Sequence, residues 1–200
     1  MCSIATLRRY PRLVPTVRKL TAVRAEPRDD AERVTEVLPG EPLAVEEDRD
    51  GWARVRTAYD YPGWIHATGL GGDRDPNWLA TIASDPVDYA RTLAGTPYLW
   101  GGMTASGIDC SGLVHMSFRA TGRLVPRDAD QQEDAGASVG DPQPGDLITY
   151  GDPGSRADHV AFWVGEGRIL HSTQRDGIDG VVEEPEPVEL RLRRRRVIRL

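Results

Sequence analysis

The segment from Asp109 to His115 sets one cysteine between an acid and a serine, with glycine next and an apolar run after. The only other cysteine of the chain is Cys2. Four roles are open to Cys110: a small buried hydrophobe, a metal ligand, half of a disulfide, or a nucleophile. Two cysteines make no disulfide framework, and there is no CxxC pair to hold zinc. Cys2 sits on a terminus and reads as an idle thiol. Cys110 opens a predicted helix that Gly122 ends. A cysteine there meets unsatisfied N–H groups and the positive end of the helix dipole. Both favour thiolate, so the expectation is a lowered pKa. The same N–H groups would stabilise an oxyanion, and Gly112 would leave room for a substrate backbone.

A nucleophilic cysteine needs a base, and the base needs an orienting partner. The chain has four histidines: His66, His115, His159 and His171. His66 falls in the first, strand-rich part and reads as a surface residue. His115 shares a helix with Cys110, but five residues is more than one turn, so the side chains diverge. His159 and His171 lie on the two arms of a predicted hairpin bent at Gly165-Glu166-Gly167. Parity puts both on one face, with residue 159 roughly opposite 171. An imidazole pair packed against the cysteine helix is a base and its orienter. Taken singly, each piece has a blander reading as a buried cysteine or a satisfied strand histidine.

The elements that must position these groups are legible in outline. Residues 15–72 alternate apolar and polar between breaks at Pro39-Gly40, Asp50-Gly51 and Pro62-Gly63, which predicts a small β-barrel. Residues 1–14 read as a leader and 73–83 as a linker. From 84 to 200 the pattern is α+β. Ser84 or Asp85 caps a first helix with Pro86 in its first turn and Gly95 as its stop. The cysteine helix follows, with Leu113, Val114 and Phe118 as its apolar side. A short helix covers DADQQEDAG. Strands then come in PQPGDLITYG, in the hairpin, and in the closing VIRL. The arginine run Arg193 to Arg196 reads as the solvent face of an edge strand. Trp100 and Trp163 read as core or cleft wall.

On YLWGGMTASGIDCSGLV, DHVAFWVG and ILHS, together with PGDLI, the region from 84 to 199 resembles the NlpC/P60 cysteine peptidases of bacterial cell-wall metabolism. The earlier part, with GWARVR and GWIHATGL, is similar to bacterial SH3 domains. The resemblance implies a papain-like fold, in which a helix bearing the cysteine packs on an antiparallel sheet bearing the histidine. It places Cys110 on the nucleophile, His159 on the general base and His171 on the residue that orients it. It places Tyr98, Asp109 and Ser111 in the pocket for the amino end of a peptide. There Asp109 would pair with an ammonium, or equally serve as a helix cap. Arg127, in a PRD segment, falls on the carboxylate-binding side, where Ala129 replaces a common serine. Tyr59 or Tyr61 would reach the cleft from the SH3-like module, with packing in a turn as the plainer reading.

The implied activity is cleavage of the γ-D-glutamyl–L-diamino-acid bond of murein peptides, with no cofactor and no metal. The net charge of -6 offers no footprint for nucleic acid. No apolar stretch approaches a membrane span, and no protein partner is implied. The N-terminus lacks the apolar region and cleavage site of a signal peptide. The expectation is therefore a cytoplasmic protein recycling released wall peptides, or an extracellular hydrolase of intact wall if the start is truncated. An amidase or acyltransferase with the same Cys-His chemistry, and a silent wall-binding protein, are the rivals.

Overall fold

The computed structural model describes residues 15–200, so the expected leader 1–14 and Cys2 lie outside the described residues. The first unit is an antiparallel sheet of β1 (Thr21–Arg24), β2 (Arg33–Val37), β3 (Leu43–Arg49), β4 (Trp52–Thr57) and β5 (Pro62–His66). Its spatial order is β2-β1-β5-β4-β3. Alternation turns Val23, Val37, Leu43, Val55 and Ile65 onto one shared core. Asp50 and Gly51 both take positive φ in the β3–β4 turn, the geometry an Asp-Gly hairpin requires.

The segment after it is not a free tether. Asp75 donates its N–H to Gly40 O at 3.1 Å, while Ile82 and Ala83 donate theirs to Ala120 O at 2.8 and 3.0 Å. The second unit then opens with α1 (Pro86–Thr92), whose cap Asp85 accepts from the Val87 and Asp88 N–H groups. A two-residue hairpin, β6 (Met103–Thr104) and β7 (Gly107–Ile108), leads into α2 (Cys110–Ala120), and α3 (Ala129–Ala135) follows.

The remaining elements are β8 (Ala137–Ser138), β9 (Leu147–Tyr150), β10 (His159–Gly165), β11 (Arg168–Arg175), β12 (Ile178–Pro185), α4 (Val188–Arg191) and β13 (Arg194–Arg199). Their sheet runs β12-β11-β10-β9-β13-β8. Leu113, Val114 and Phe118 of α2 pack on the side of that sheet formed by Leu147, Val160, Phe162 and Leu170. Ile148, Tyr150, Ala161 and Ile169 face the other way. The α+β architecture is the expected one: a cysteine-bearing helix laid on a histidine-bearing antiparallel sheet.

Two expectations are corrected here. β13 is not an edge strand, since β8 covers it. Its arginines do not simply decorate solvent. Arg193 donates to Asp152 and Asp158 at 2.8 and 2.6 Å, Arg194 to Glu186 at 2.5 Å, Arg195 to Glu133 at 3.1 Å, and Arg196 to Ser138 Oγ at 2.6 Å. The sequence pattern also does not predict β12, although Asp176-Gly177 before it is a hairpin signal; Gly177 adopts φ +80° there.

Candidate active site

Cys110 is the first residue of α2, and its thiol is free. It is only 5% exposed. The Val160 N–H, one residue along β10 from His159, points at the sulfur, as does the Ser111 N–H. These donors, the Arg127 charge and the helix start all favour thiolate, yet they lose. Burial, and then the Asp109 carboxylate, push the thiol up to about 12. The expected lowering is thus overturned: desolvating an anion outweighs a few partial charges.

His159 and His171 share one face of the sheet, as parity requires, but it is the face of Tyr150, Ala161 and Ile169 and not the one that carries α2. The expected packing of the pair on the cysteine helix is thus corrected: Cys110 meets β10 at its start, through the Val160 N–H. The register Phe162↔Leu170 and Trp163↔Ile169, continued along the strands, sets Ala161 opposite His171. The two histidines are therefore diagonal neighbours two residues apart, not direct partners. The diagonal suffices: His159 Nε2 lies 2.8 Å from His171 Nδ1, and the rings meet edge to face. Burial pushes His159 down to about 3, and any positive charge on the neighbouring His171, like that of Arg193, works in the same direction. His171 is lowered too, by burial, against the pull of Glu184. The thiol is shifted up and both imidazoles down, and all three shifts favour the uncharged forms.

The chain continues beyond the expected residues. His171 Nε2 lies 2.9 Å from Glu184 Oε1, and Arg175 Nη2 donates to Glu184 Oε2. Burial opposes ionisation of Glu184, but the hydrogen bonds from His171 and Arg175 hold its carboxyl below the usual range. Glu184 lies on β12, which the sequence pattern does not predict. His66 and His115 lie elsewhere. His66 is exposed and stacks on Trp52 at 3.9 Å. His115 is fully buried, with Nδ1 2.8 Å from Val125 O and its ring 4.4 Å from that of Tyr59.

Around Cys110 the expected pocket residues do assemble, but two have other employment. Asp109 Oδ1 accepts from the Gly112 N–H and Arg127 Nη1, at 2.7 and 2.9 Å. Its Oδ2 accepts from the Gly101 N–H and Arg127 Nη2, at 2.7 and 2.8 Å. Both oxygens are fully used, so Asp109 caps the helix and has no acceptor left for an ammonium. Arg127 is 1% exposed. Its Nε donates to Thr35 Oγ1, Nη1 also to Ser111 Oγ, and Nη2 also to Gly102 O, at 3.1, 2.8 and 3.3 Å. All five N–H donors are spent inside the protein, so the expected substrate-carboxylate contact is corrected. Gly112 is corrected likewise. A Cβ there would meet Gly102 O at 2.4 Å, so the space serves the neighbouring loop and not a substrate. Tyr98 is half-buried beside Cys110 and Asp109, and burial with those two charges raises its phenol.

In front of the sulfur lies a cleft of about 420 Å³. One wall comes from the barrel: Glu32, Val34 and Tyr61. The other comes from Trp100, Asp109, Cys110, Ser111, Asp128, Ala129 and Asp158 among others. Trp100, 56% exposed, donates Nε1–H to Glu32 Oε1 at 2.8 Å. Tyr61 donates to Asp128 Oδ2 at 2.7 Å. Tyr59 sits in the seam, bonded to Thr35 Oγ1 and Glu36 O at 2.9 and 3.0 Å. Neither tyrosine is mere turn packing. Trp163 is remote, under Arg194. Among the described residues no group of three or more His, Cys, Asp or Glu side chains is placed to hold a metal ion. No helix among them is long and apolar enough to cross a membrane.

Residues 95–190 match the NlpC/P60 family, and residues 23–70 match the bacterial dipeptidyl-peptidase Sh3 domain. A Bacillus subtilis protein named gamma-D-glutamyl-L-lysine dipeptidyl-peptidase is 40% identical over 94 residues, 45% of this chain and 32% of its own length. This chain thus spans about a third of that relative. A Corynebacterium glutamicum protein named "Probable endopeptidase" is 30% identical over 171 residues, covering 76% of this chain and 77% of the other. The crystal structure of an NlpC/P60 family protein from Bacillus cereus superposes with a TM-score of 0.55 at 24% identity, over 92% of this chain and 62% of that one, and supports the fold.

Proposed function

The chain belongs to the NlpC/P60 family, and on that premise we propose that it is a thiol peptidase cleaving the γ-D-glutamyl–L-diamino-acid bond of murein peptides. The observation that carries the reading is the joining of Cys110, at a helix start, to the strand whose first residue, His159, is already fixed through Nε2. His159 Nδ1 is then the ring nitrogen left for the thiol. As Sγ attacks the amide carbonyl, its proton passes to Nδ1, so a buried thiolate need never accumulate. The Cys110 N–H, at the helix start and without an intrahelical acceptor, is a donor for the oxyanion. The imidazolium then protonates the leaving amine, giving a thioester. Water attacks that thioester with His159 as base and restores the thiol.

The cleft also suggests which peptides fit. The barrel closes one side, and Glu32, Asp128 and Asp158 leave the lining rich in carboxylate. With Asp109 saturated, Glu32 and Asp128 become the groups to meet a free amino end, with Tyr98 and Ser111 alongside. Such a site selects short peptides beginning with unblocked L-Ala. A stem still attached to muramic acid has no free amine there. Recycling of released wall peptides is the role this preference supports.

Cys110→Ala should abolish hydrolysis of L-Ala-γ-D-Glu-diamino-acid peptides while leaving the fold intact, read by mass spectrometry and circular dichroism. Retained hydrolysis in that variant would end the peptidase reading. Cleavage of N-acetylated peptides as fast as free ones would instead favour intact wall as the substrate.

A further inference from the structure

The histidine chain has a direction, and its far end sets it. Its bearing on catalysis rests on the thiol-peptidase reading above. A carboxylate only accepts hydrogen bonds, and a guanidinium only donates them. Glu184 Oε2 is occupied by Arg175 Nη2, and Oε1 lies 2.9 Å from His171 Nε2. His171 Nε2 must therefore carry a proton. Burial favours the neutral form of His171, and a neutral ring with its proton on Nε2 leaves Nδ1 a bare acceptor. That nitrogen lies 2.8 Å from His159 Nε2, which must then donate. His159 is neutral as well, so its Nδ1 is left without a proton.

The sheet builds both links in the same way. His171 stands opposite Val182, and Ile169 opposite Glu184. Glu184 thus reaches His171 along a diagonal two residues off, as His171 reaches His159. His171 has no exposed surface and the Glu184 side chain is 15% exposed, so water competes poorly with either bond.

We infer that Glu184, held by Arg175, is a positioning residue that fixes the proton polarity of the His171–His159 pair and so presents an unprotonated His159 Nδ1 to Cys110. Glu184 touches no reacting atom and acts through two imidazoles. The proton count is unchanged by this role. The thiol proton still goes to Nδ1, while Nε2–H stays on His159 and keeps donating to His171.

The informative variant is Glu184→Gln. An amide offers one oxygen and one NH₂, and Arg175 always demands the oxygen. The NH₂ then turns to His171 Nε2, which must accept. His171 would donate through Nδ1, His159 Nε2 would accept, and His159 Nδ1 would carry the proton, the wrong tautomer for a base. The expected result is a kcat loss of about 10²–10⁴-fold with KM little changed. Nitrogen-detected NMR of the full chain should show both tautomers inverted. Adding Arg175→Met removes the competing donor, lets the amide oxygen turn back to His171, and should restore part of kcat together with the original tautomers. A loss of packing would not be repaired by a second truncation.

Glu184→Gln with kcat within about twofold of wild type would overturn the inference, since a misplaced base proton costs far more. So would a loss of kcat with unchanged tautomers, or an absence of recovery in the double variant. If Glu184→Gln does not fold, the wild-type spectrum decides alone: a proton on His159 Nδ1 would refute it, and one on Nε2 would uphold it. If the wild type cleaves no murein peptide, the peptidase reading fails, and the same spectra still judge the polarity.

Discussion

Two arginine–carboxylate pairs serve the site, one beside the cysteine and one at the far end of the histidine chain, and they are built for different ends. On the helix side Arg127 and Asp109 grip each other through two parallel bonds, and every remaining donor and lone pair is met by the protein. On the sheet side Arg175 takes one oxygen of Glu184 and leaves the other to His171. The first pair is closed. It welds the loop 101–102, the start of α2 and the barrel residue Thr35 into one body. The second pair is open at one end and passes its demand for a proton along to His159. A buried ion pair thus does one of two things. Saturated, it fixes shape; left with one free acceptor, it fixes where a proton sits.

The strongest way to break this contrast is to remove one member of the closed pair. Arg127→Leu leaves Asp109 buried without its partner and Thr35, Ser111 and Gly102 without their donor. Truncating one side of a buried pair costs about 3–5 kcal/mol. Chemical denaturation should show a loss of that order, and limited proteolysis should show the barrel released from the second unit. Arg127→Lys should rescue little, because an ammonium cannot fork to both oxygens. A stable, fully active Arg127→Leu protein would mean that the seam does not depend on this pair.

The second test uses acid. His115, on the closed side, is pushed down to about 3 by burial and by the Arg127 charge. His159 is pushed down to about 3 as well, and His171 is lowered. A base depressed on folding is neutral in the native state and charged in the unfolded one at mildly acid pH. Its contribution to stability is complete above the unfolded value of about 6.5 and is lost as pH falls toward the folded value. Each such histidine steepens the loss by about 1.4 kcal/mol per pH unit in that window. His115→Asn keeps a donor for Val125 O and removes one titrating group. Between about pH 6 and 4 its stability should fall less steeply than wild type by that increment. Equal slopes would show that His115 is already charged in the native protein.

How much of this was legible in the sequence follows from the range of the interactions involved. Asp85, Pro86 and Gly95 announced α1 because capping is a local contest between neighbouring residues. His159 and His171 could be put on one face because strand parity is a local property. Their two-residue offset could not, because register depends on how the turn at 165–167 closes. Glu184 escaped because IDGVVEEP alternates poorly and its partner lies 13 residues away on the next strand. The same limit applies to Asp109 and Arg127. Each looked available for substrate when read alone, and each is consumed by the other across 18 residues. The direction of the Cys110 shift failed for a related reason. Helix-start donors can be counted from the sequence, but the burial that outweighs them comes from the whole fold.

A third pair gives the smallest effect and the cleanest control. Arg91 on α1 donates through Nε to Glu183 Oε2 at 3.0 Å, one residue before Glu184 on β12. In chemical type it matches Arg175–Glu184, and it stands next to it in sequence. The Arg91 side chain is 46% exposed and that of Glu183 is 32% exposed. Water and salt therefore screen the attraction, and two long side chains lose rotamer freedom to make it. A double-mutant cycle with Arg91→Gln and Glu183→Gln should give a coupling of about 0.2–1 kcal/mol that shrinks as salt is raised. kcat should stay at the wild-type value, because neither group touches the histidine chain. A large coupling would mean that the α1–β12 contact is drier than its exposure indicates. A fall in kcat would mean that β12 transmits its position to Glu184, so that the open pair is tuned by the strand that carries it as well as by Arg175.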